Sequence, residues 1–393
     1  MAPLITPSTD LHKTKMMMTG PLLVALSSVV LKRASAFVCP QVSPSRISHH
    51  YSSLSIDCSI SRITTLQTLL TQHGAPGSKG CNDADDLVSV QEQNLDLHPH
   101  LYAIAQSKKT GNYVCALRRC YADDAEYESS TNTPWPIVES APGARGMKLL
   151  ALNSEHMMRR IACESDFSGG PDLVSIYNNG LGKGNLAEGL DSPYIVGSVE
   201  KLGYGCDKYV LLRVGPFPDL YETMALGHKS RGDESSSLIA AEASNGKFIG
   251  FASTFAFYSR LLNSFGARED EARDAARMCL RLPLPSIGFS DDDWKEVAVL
   301  AQIAGADDTI EDALSKLEAF YEKMKTKERD EDMAGMDSGK SGEQMAIDVA
   351  NDLLDRTALS NARWADIRSD LAKVYADAGK EGMAAFVIDP SRV

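Results

Sequence analysis

The stretch 214-VGPFPDLYE-222 divides the chain into two parts with different sequence patterns. Two prolines, Pro216 and Pro218, stand two residues apart, and neither a strand nor a helix continues through such a pair. Asp219 follows them and is a suitable N-cap for a new helix. The stretch therefore predicts a boundary at which a mixed region ends and a helical region begins.

Residues 85–215, before this boundary, are predicted to form a small α+β domain. Short runs rich in Val, Ile, Leu and Tyr are separated by Gly, Pro and Asn, which is typical of strands and turns. These runs are NYVCALRRCYA, GMKLLALN, DLVSIYN, YIVGSVE and DKYVLLRV. The segment 153-NSEHMMRRIAC-163 has a helical pattern instead, with Asn153 or Ser154 as its cap and Glu155 in its first turn.

Residues 219–393 are expected to form a mainly α-helical domain after the α+β domain. In three stretches an apolar helix meets a glycine and a second helix rich in Ala follows: 219–244 around Gly232, 255–285 around Gly266, and 371–386 around Gly379. This order resembles the tetratricopeptide repeat. An ordinary bundle whose hairpins share turn chemistry is the alternative, because the spacings of the first two copies depart from the repeat. The charged stretch near 326–342 predicts a mobile surface loop.

The front of the chain has the composition of targeting segments. Residues 1–36 have the order of a secretory signal peptide, with two lysines at 11–15, an uncharged apolar run at 16–31 and the small residues ASA at 34–36. The Ser-rich range 37–80 contains one acid, Asp57, and resembles a plastid transit peptide. A signal peptide and a transit peptide that are separated by cleavage between Ala36 and Phe37 resemble the bipartite presequence of diatoms and related algae. The resemblance implies a disordered segment at 37–80 and import into the plastid stroma through the endomembrane system.

Charge separates this front part from the rest. The chain has a formal net charge of −13, and the residues up to Lys79 are positive, so the remainder is more acidic than the total. An acidic protein repels phosphate backbones, which argues against nucleic acid as a partner. A membrane-spanning helix needs about 20 consecutive apolar residues, and the remainder of the chain has no apolar run of that length. We therefore expect no membrane insertion of the mature chain.

No motif names a reaction, and no cofactor or metal is predicted. The cysteines lack a Cys-x-x-Cys pair and the histidines lack ligand spacing. A glycine-rich loop after a possible strand could hold a small anion, although a long hairpin loop explains it equally. A cleft between two domains is a common ligand position. The candidate ligand-binding residues are Gly180, Gly182, Lys183 and Gly184 in the loop and Arg213 and Tyr221 beside the boundary.

Three segments carry a resemblance to a family of plant and algal plastid stromal proteins: 90-VQEQNLDLHPHLYAIAQ-106, 207-DKYVLLRVGPFPDLYE-222 and 271-EARDAARMCLRLPLP-285. The resemblance implies a stromal protein and supplies no activity. Helical hairpins usually bind proteins or peptides, so the first hypothesis is a non-catalytic scaffold or assembly factor for another plastid protein. The alternative is an enzyme or a small-anion or metabolite binder that uses the inter-domain cleft. A third hypothesis is a redox-regulated linker, for which Cys115 and Cys120 are candidate thiols.

Overall fold

The computed structural model describes residues 55–120, 135–170, 172–179, 193–334, 340–360 and 362–391, without the side chains of residues 55–62 and 328–334. Contacts divide the chain into two units, Met1–Tyr51 and Ser52–Val393. Every element below belongs to the second unit. The proposed signal peptide and the Ala36–Phe37 cleavage site lie outside the described residues and stay predictions.

The described elements follow the order predicted at the boundary. Helix α1 (Ser55–His73) precedes the strands β1 (Leu87–Ser89), β2 (Leu101–Ser107), β3 (Tyr113–Leu117), β4 (Ile137–Ser140) and β5 (Met147–Ala151). Four helices come next, namely α2 (Ser154–Ser168), α3 (Leu173–Asn179), α4 (Ser198–Leu202) and α5 (Cys206–Arg213). The remaining helices are α6 (Pro218–Ser230), α7 (Glu234–Lys247), α8 (Ser253–Asn263), α9 (Glu269–Cys279), α10 (Asp291–Leu300), α11 (Ile310–Ala334), α12 (Gly342–Leu359), α13 (Trp364–Asp377) and α14 (Glu381–Ile388), with a 3₁₀ turn at Leu284–Ser286. The predicted fold class, α+β followed by mainly helical, is confirmed.

The strands form one antiparallel sheet in the order β1-β2-β3-β4-β5. Successive side chains of a strand point to opposite faces, and β3 follows this rule along its whole length. Val114 and Ala116 join the core on one face, whereas Tyr113, Cys115 and Leu117 join the core on the other. All five are buried, so β3 is a central strand covered on both sides.

Helices cover the first face of the sheet and an aromatic connection covers the second. Residues of α1, α2, α3 and α5 pack on the face that includes Val114. Phe248 and Phe251, from the connection between α7 and α8, pack on the opposite face. The chain that follows the boundary therefore returns to complete the core of the sheet.

Three runs that the sequence suggested as strands are not strands. DLVSIYN forms α3, DKYVLLRV contains α5, and YIVGSVE ends in α4. In α3 the buried residues are Leu173, Val174 and Tyr177, whose spacing suits one face of a helix. The β-branched and aromatic composition of such short runs is a weak guide, because packing against the sheet decides between helix and strand.

Two predicted helix starts have different outcomes. Asn153 caps α2 by accepting a hydrogen bond from the backbone N–H of His156 at 2.7 Å, which confirms the first. The prediction that Asp219 is the N-cap of α6 is wrong. Phe217 occupies the cap position and Pro218 the first turn, and the Asp219 carboxylate instead binds Arg160.

Each of the three proposed hairpin stretches contains two helices, α6–α7, α8–α9 and α13–α14. Their glycines have φ values of 75° at Gly232, 70° at Gly266 and 74° at Gly379, which L-residues rarely adopt. The tetratricopeptide-like interpretation stays a prediction, as does the division into domains at 85–215 and 219–393. Helix α11 continues to Ala334, so the first part of the range 326–342, expected as a loop, is helical.

Residues 63–80 belong to the folded region, although the sequence suggested a disordered transit peptide over 37–80. Leu66, Leu69 and Leu70 of α1 are fully buried in the core of the sheet. Backbone N–H groups of Lys79 and Gly80 donate to the buried carboxylate of Glu139, each at 2.8 Å. Wherever processing occurs, these contacts tie the chain from residue 63 onwards to the sheet.

Candidate protein-binding surface

The boundary before α6 is fixed to α2 by a buried arginine. Arg160 donates two hydrogen bonds to Asp219, at 2.7 and 2.6 Å, and a third to Glu164 at 2.7 Å. Its guanidinium carbon lies 4.7 Å from the centroid of the Phe217 ring. A bidentate pair that is shielded from water is both stronger and more directional than a surface pair. Arg160 therefore sets the position of the first turn of α6.

The backbone just before α6 is pressed against the same helix. A Cβ atom at Gly215 would lie 2.6 Å from Cε1 of His156, so this close approach requires glycine. Burial lowers the pKa of His156 to about 4, so the ring is neutral at physiological pH. The boundary segment is thus packed against α2 on this side.

A second junction joins the sheet region to the last two helices. Arg368 of α13 is buried and donates to three backbone carbonyls, those of Leu95 (3.0 Å), Leu97 (2.8 Å) and Val387 (2.7 Å). Beside it, Nε2 of His100 lies 2.7 Å from the hydroxyl of Tyr375. Burial lowers the pKa of His100 to about 3, so this ring is neutral and serves as a hydrogen-bonding partner.

Of the predicted ligand residues, the structure describes Arg213 and Tyr221. Arg213 is exposed at the C-terminal end of α5, whereas Tyr221 packs edge-to-face on Phe248 with ring centroids 6.0 Å apart. Gly180, Gly182, Lys183 and Gly184 lie outside the described residues. The ligand site in the inter-domain cleft therefore stays a prediction.

An exposed apolar surface lies where α2 ends and α4 and α5 begin. We call it the apolar corner and define it by Phe167, Ile195, Val196, Tyr204 and Leu212. Ile195 is 73% exposed and Val196 is 67% exposed, the highest values among the large apolar residues described. Isolated apolar side chains are normal on a surface, but several on neighbouring segments mark an interaction site.

Hydrogen bonds from Asp166 and Asn178 hold the apolar corner in place. The Asp166 carboxylate accepts from the Tyr194 hydroxyl at 2.6 Å and from the backbone N–H of Gly197 at 2.9 Å. The Asn178 amide exchanges two hydrogen bonds with the backbone of Tyr194, at 2.8 and 3.0 Å. The residues between these anchors, Ile195 and Val196, project from a fixed backbone.

Basic side chains accompany the apolar corner. The ammonium of Lys208 lies 4.4 Å from the centroid of the Tyr204 ring, and Leu212 follows one helical turn later on α5. Lys201 and Arg213 are exposed nearby in sequence. Residues 193–213 hold three basic and two acidic residues, in a chain whose net charge is −13. The apolar corner is thus less acidic than the chain as a whole.

The described residues offer little that points to metal or thiol chemistry. They contain no group of three or more His, Cys, Asp and Glu side chains placed to hold a metal ion. Burial raises the pKa of the Cys115 thiol well above its usual value, which lowers its reactivity. No described helix has both the length and the apolar composition for crossing a membrane.

Arg213, a predicted ligand residue, directly follows Leu212 of the apolar corner, but none of the five residues that define the corner was predicted from the sequence. The segment YIVGSVE was predicted to be a strand, and the apolar residues Ile195 and Val196 of such a strand are expected to be buried. A usable signal was the position of this pair between Pro193 and Gly197, where no strand could continue for long. Only the structure shows that neither side chain is covered.

Comparisons with known proteins match two domain families and a chloroplast relative. Residues 218–304 match the family described as the PAB middle domain, and residues 317–389 match the PAB C-terminal domain. A protein of Arabidopsis thaliana, "Protein IN CHLOROPLAST ATPASE BIOGENESIS, chloroplastic", is 32% identical over 290 residues, which cover 73% of this chain and 77% of the relative. No solved structure matches the chain. The first of the two matched domains begins at Pro218, the residue at which α6 begins.

Proposed function

The chain belongs to the family of the Arabidopsis protein IN CHLOROPLAST ATPASE BIOGENESIS, and from this membership we propose that it is a plastid assembly factor for the chloroplast ATPase. It acts without catalysis, by binding an unassembled component of that enzyme. The observation that carries the proposal is identity of 32% across three quarters of both chains. The relative's printed name supplies the process, and the apolar corner supplies a surface suited to it.

The apolar corner is the proposed contact surface. An unassembled subunit exposes apolar residues that its neighbours later cover, and a factor that binds them temporarily needs an apolar surface of its own. Ile195 and Val196 are the proposed centre of the contact, because they are the most exposed and their backbone is held from both sides. The exposed basic residues Lys201, Lys208 and Arg213 follow them in the sequence and supply the positive charge of the proposed contact.

The charge of the apolar corner specifies the partner further. Like charges across an interface disfavour binding and opposite charges steer it. We therefore propose an apolar segment flanked by Asp or Glu as the element of the ATPase component that binds. A partner bearing a basic segment would instead favour the acidic helical region.

The proposed location is the plastid stroma, reached through the endomembrane system with a presequence at the front of the chain that ends before the folded residues from 63 onwards. A plastid relative supports the compartment. The Ser-rich composition and the ASA–Phe37 junction support the route.

Binding to separately purified chloroplast ATPase subunits tests the proposal. The full-length chain, an Ile195→Asp/Val196→Asp double variant and an Ile239→Asp control are compared for each subunit. Ile239 is 63% exposed on α7, away from the apolar corner, so the control carries the same type of change at a similar exposure.

We expect the wild type and the Ile239→Asp control to bind one subunit with equal affinity. The double variant should bind at least about tenfold more weakly, because two interface-centre side chains are replaced by charges. Binding that survives the double variant would overturn the apolar corner as the contact. No binding to any subunit, or self-association that the double variant removes, would overturn the proposed partner.

A further inference from the structure

Two carboxylates share one tyrosine hydroxyl between α11 and α12. The hydroxyl of Tyr321 lies 3.1 Å from Oδ1 of Asp352 and 3.2 Å from Oδ2 of Asp355. The second oxygen of Asp355 accepts the backbone N–H of Leu284 in the 3₁₀ turn at 2.8 Å. Three elements, α11, α12 and the turn, therefore meet at one carboxyl group.

When Asp352 and Asp355 are both ionised, the three side chains hold too few protons for both contacts to be hydrogen bonds. A tyrosine hydroxyl carries one proton and donates one hydrogen bond. If it donates to Asp352, its oxygen faces Asp355 with no hydrogen between them, and the same holds in reverse. One additional proton on either carboxyl group makes both contacts hydrogen bonds.

The surrounding charges assign that proton to Asp355. Asp352 accepts from Nε of Arg356 at 2.7 Å, so it already has a positively charged donor. The same arginine also pairs with Glu322 of α11. Asp355 lacks such a partner in the described contacts. The positive charge of Lys325 on α11 acts on Asp355 without a direct bond.

We propose that Asp355, Tyr321 and Asp352 form a proton-binding site that couples the packing of α11 on α12 to pH. With the proton bound, Asp355 donates to the Tyr321 hydroxyl, which donates to Asp352. Loss of the proton leaves two negatively charged carboxylates beside the single Tyr321 hydroxyl and weakens the contact between α11 and α12. The inference rests on this geometry and is independent of the proposed partner.

The pKa of Asp355 agrees with this assignment. Burial, the largest effect, and the charge of Asp352 raise it, whereas the Leu284 N–H, Lys325 and the Tyr321 hydroxyl lower it. The net effect raises the pKa from 3.8 to about 7. A pKa that is raised on folding means that the folded state binds the proton more tightly. Stability therefore falls as the pH rises from about 4 to about 7, and then levels off.

Unfolding of the full-length chain between pH 4.5 and 8.5 tests the site. Asp355→Asn keeps the shape of the acid and cannot ionise. Asp348→Asn is the control, because Asp348 lies on the same helix in an exposed pair with Lys340. The measured quantity is the unfolding equilibrium constant of the wild type relative to each variant at each pH.

We expect this ratio to rise by up to about tenfold per pH unit below pH 7 for Asp355→Asn, and to be flat for Asp348→Asn. A flat ratio for Asp355→Asn would overturn the proposal. If this variant fails to fold, carboxyl carbon NMR of wild-type Asp355 decides instead. A titration midpoint near 7 supports the site, and an ionised group at pH 5 contradicts it.

Discussion

Individual arginines fix the arrangement of segments that are far apart in the sequence. Arg160 binds Asp219 across the boundary, and Arg368 binds the carbonyls of Leu95 and Leu97 before β2. Arg145, between β4 and β5, donates to carbonyls at the end of α12, including that of Ser360 at 2.7 Å. A guanidinium has several fixed donors, so it can satisfy two or three acceptors that a lysine could not.

Replacing Arg160 tests the value of the first of these contacts. Arg160→Met leaves the half-buried Asp219 without its cation, and removal of one partner of a shielded pair destabilises by about 3 kcal/mol. Arg273→Met is the control, because its partners Asp270 and Asp274 are 85% and 50% exposed and such exposed pairs contribute little to stability. Urea unfolding of the two variants gives both free energies. Equal losses would contradict the role assigned to Arg160.

The sequence showed that Asp219 begins a helical region but assigned it the wrong role. Ser, Thr, Asp and Asn are all good caps, and a cap is read from local sequence. The true partner of Asp219 is Arg160, 59 residues earlier, and no local pattern reports it. The apolar corner was missed for the same reason, because its residues are of apolar types that are expected in a core.

Helices and strands were predicted unequally well. β3 and β5 lie within two of the runs suggested as strands. Their apolar residues pack on both faces of the sheet, so these strands form short continuous apolar runs. α3 and α5 were taken as strands because seven or eight residues hold too few turns to show a helical period. The helix at 153–163 was predicted from its pattern and from its cap Asn153, and α2 begins after that cap.

Glycine substitutions test the helix ends. Gly379 ends α13 with a φ of 74°, and nothing lies within 4 Å of a Cβ built there. Gly379→Ala should therefore destabilise by about 1 kcal/mol through the backbone alone. Gly246 lies inside α7 with equally open space and no positive φ, so Gly246→Ala should stabilise by up to about 1 kcal/mol. Thermal unfolding that shifts in the same direction for both variants would contradict this assignment.

At the scale of the whole molecule, Ser52–Val393 holds together as one compact unit because contacts cross the boundary repeatedly. Phe248 and Phe251 from the helical region complete the core of the sheet. The Arg368 junction then ties the last two helices to the strands. We expect this part of the chain to unfold in a single cooperative transition.

Replacing Arg368 tests whether this junction holds the last two helices locally. Arg368→Met leaves three backbone carbonyls without this donor, and the loss at the buried Leu97 and Val387 is about 1 kcal/mol or more each. Arg363→Met is the control, because Arg363 binds the neighbouring Asp96 through a side chain that is 66% exposed. Hydrogen exchange should become faster in α13 and α14 for Arg368→Met and remain unchanged for Arg363→Met. Uniform acceleration along the whole chain would show that the junction has no local role.

The sequence by itself determined the fold class, an α+β region followed by a mainly helical one, whereas the boundary at 214–222 and the targeting character of the front segment stay predictions. These properties follow from local chemistry, namely apolar period, proline geometry and composition. Only the tertiary structure decided which short runs are helices, which arginines join the regions, and that Ile195 and Val196 are exposed while Tyr221 packs on Phe248. Each of these depends on which distant residues approach, and burial is decided by that approach rather than by the type of residue.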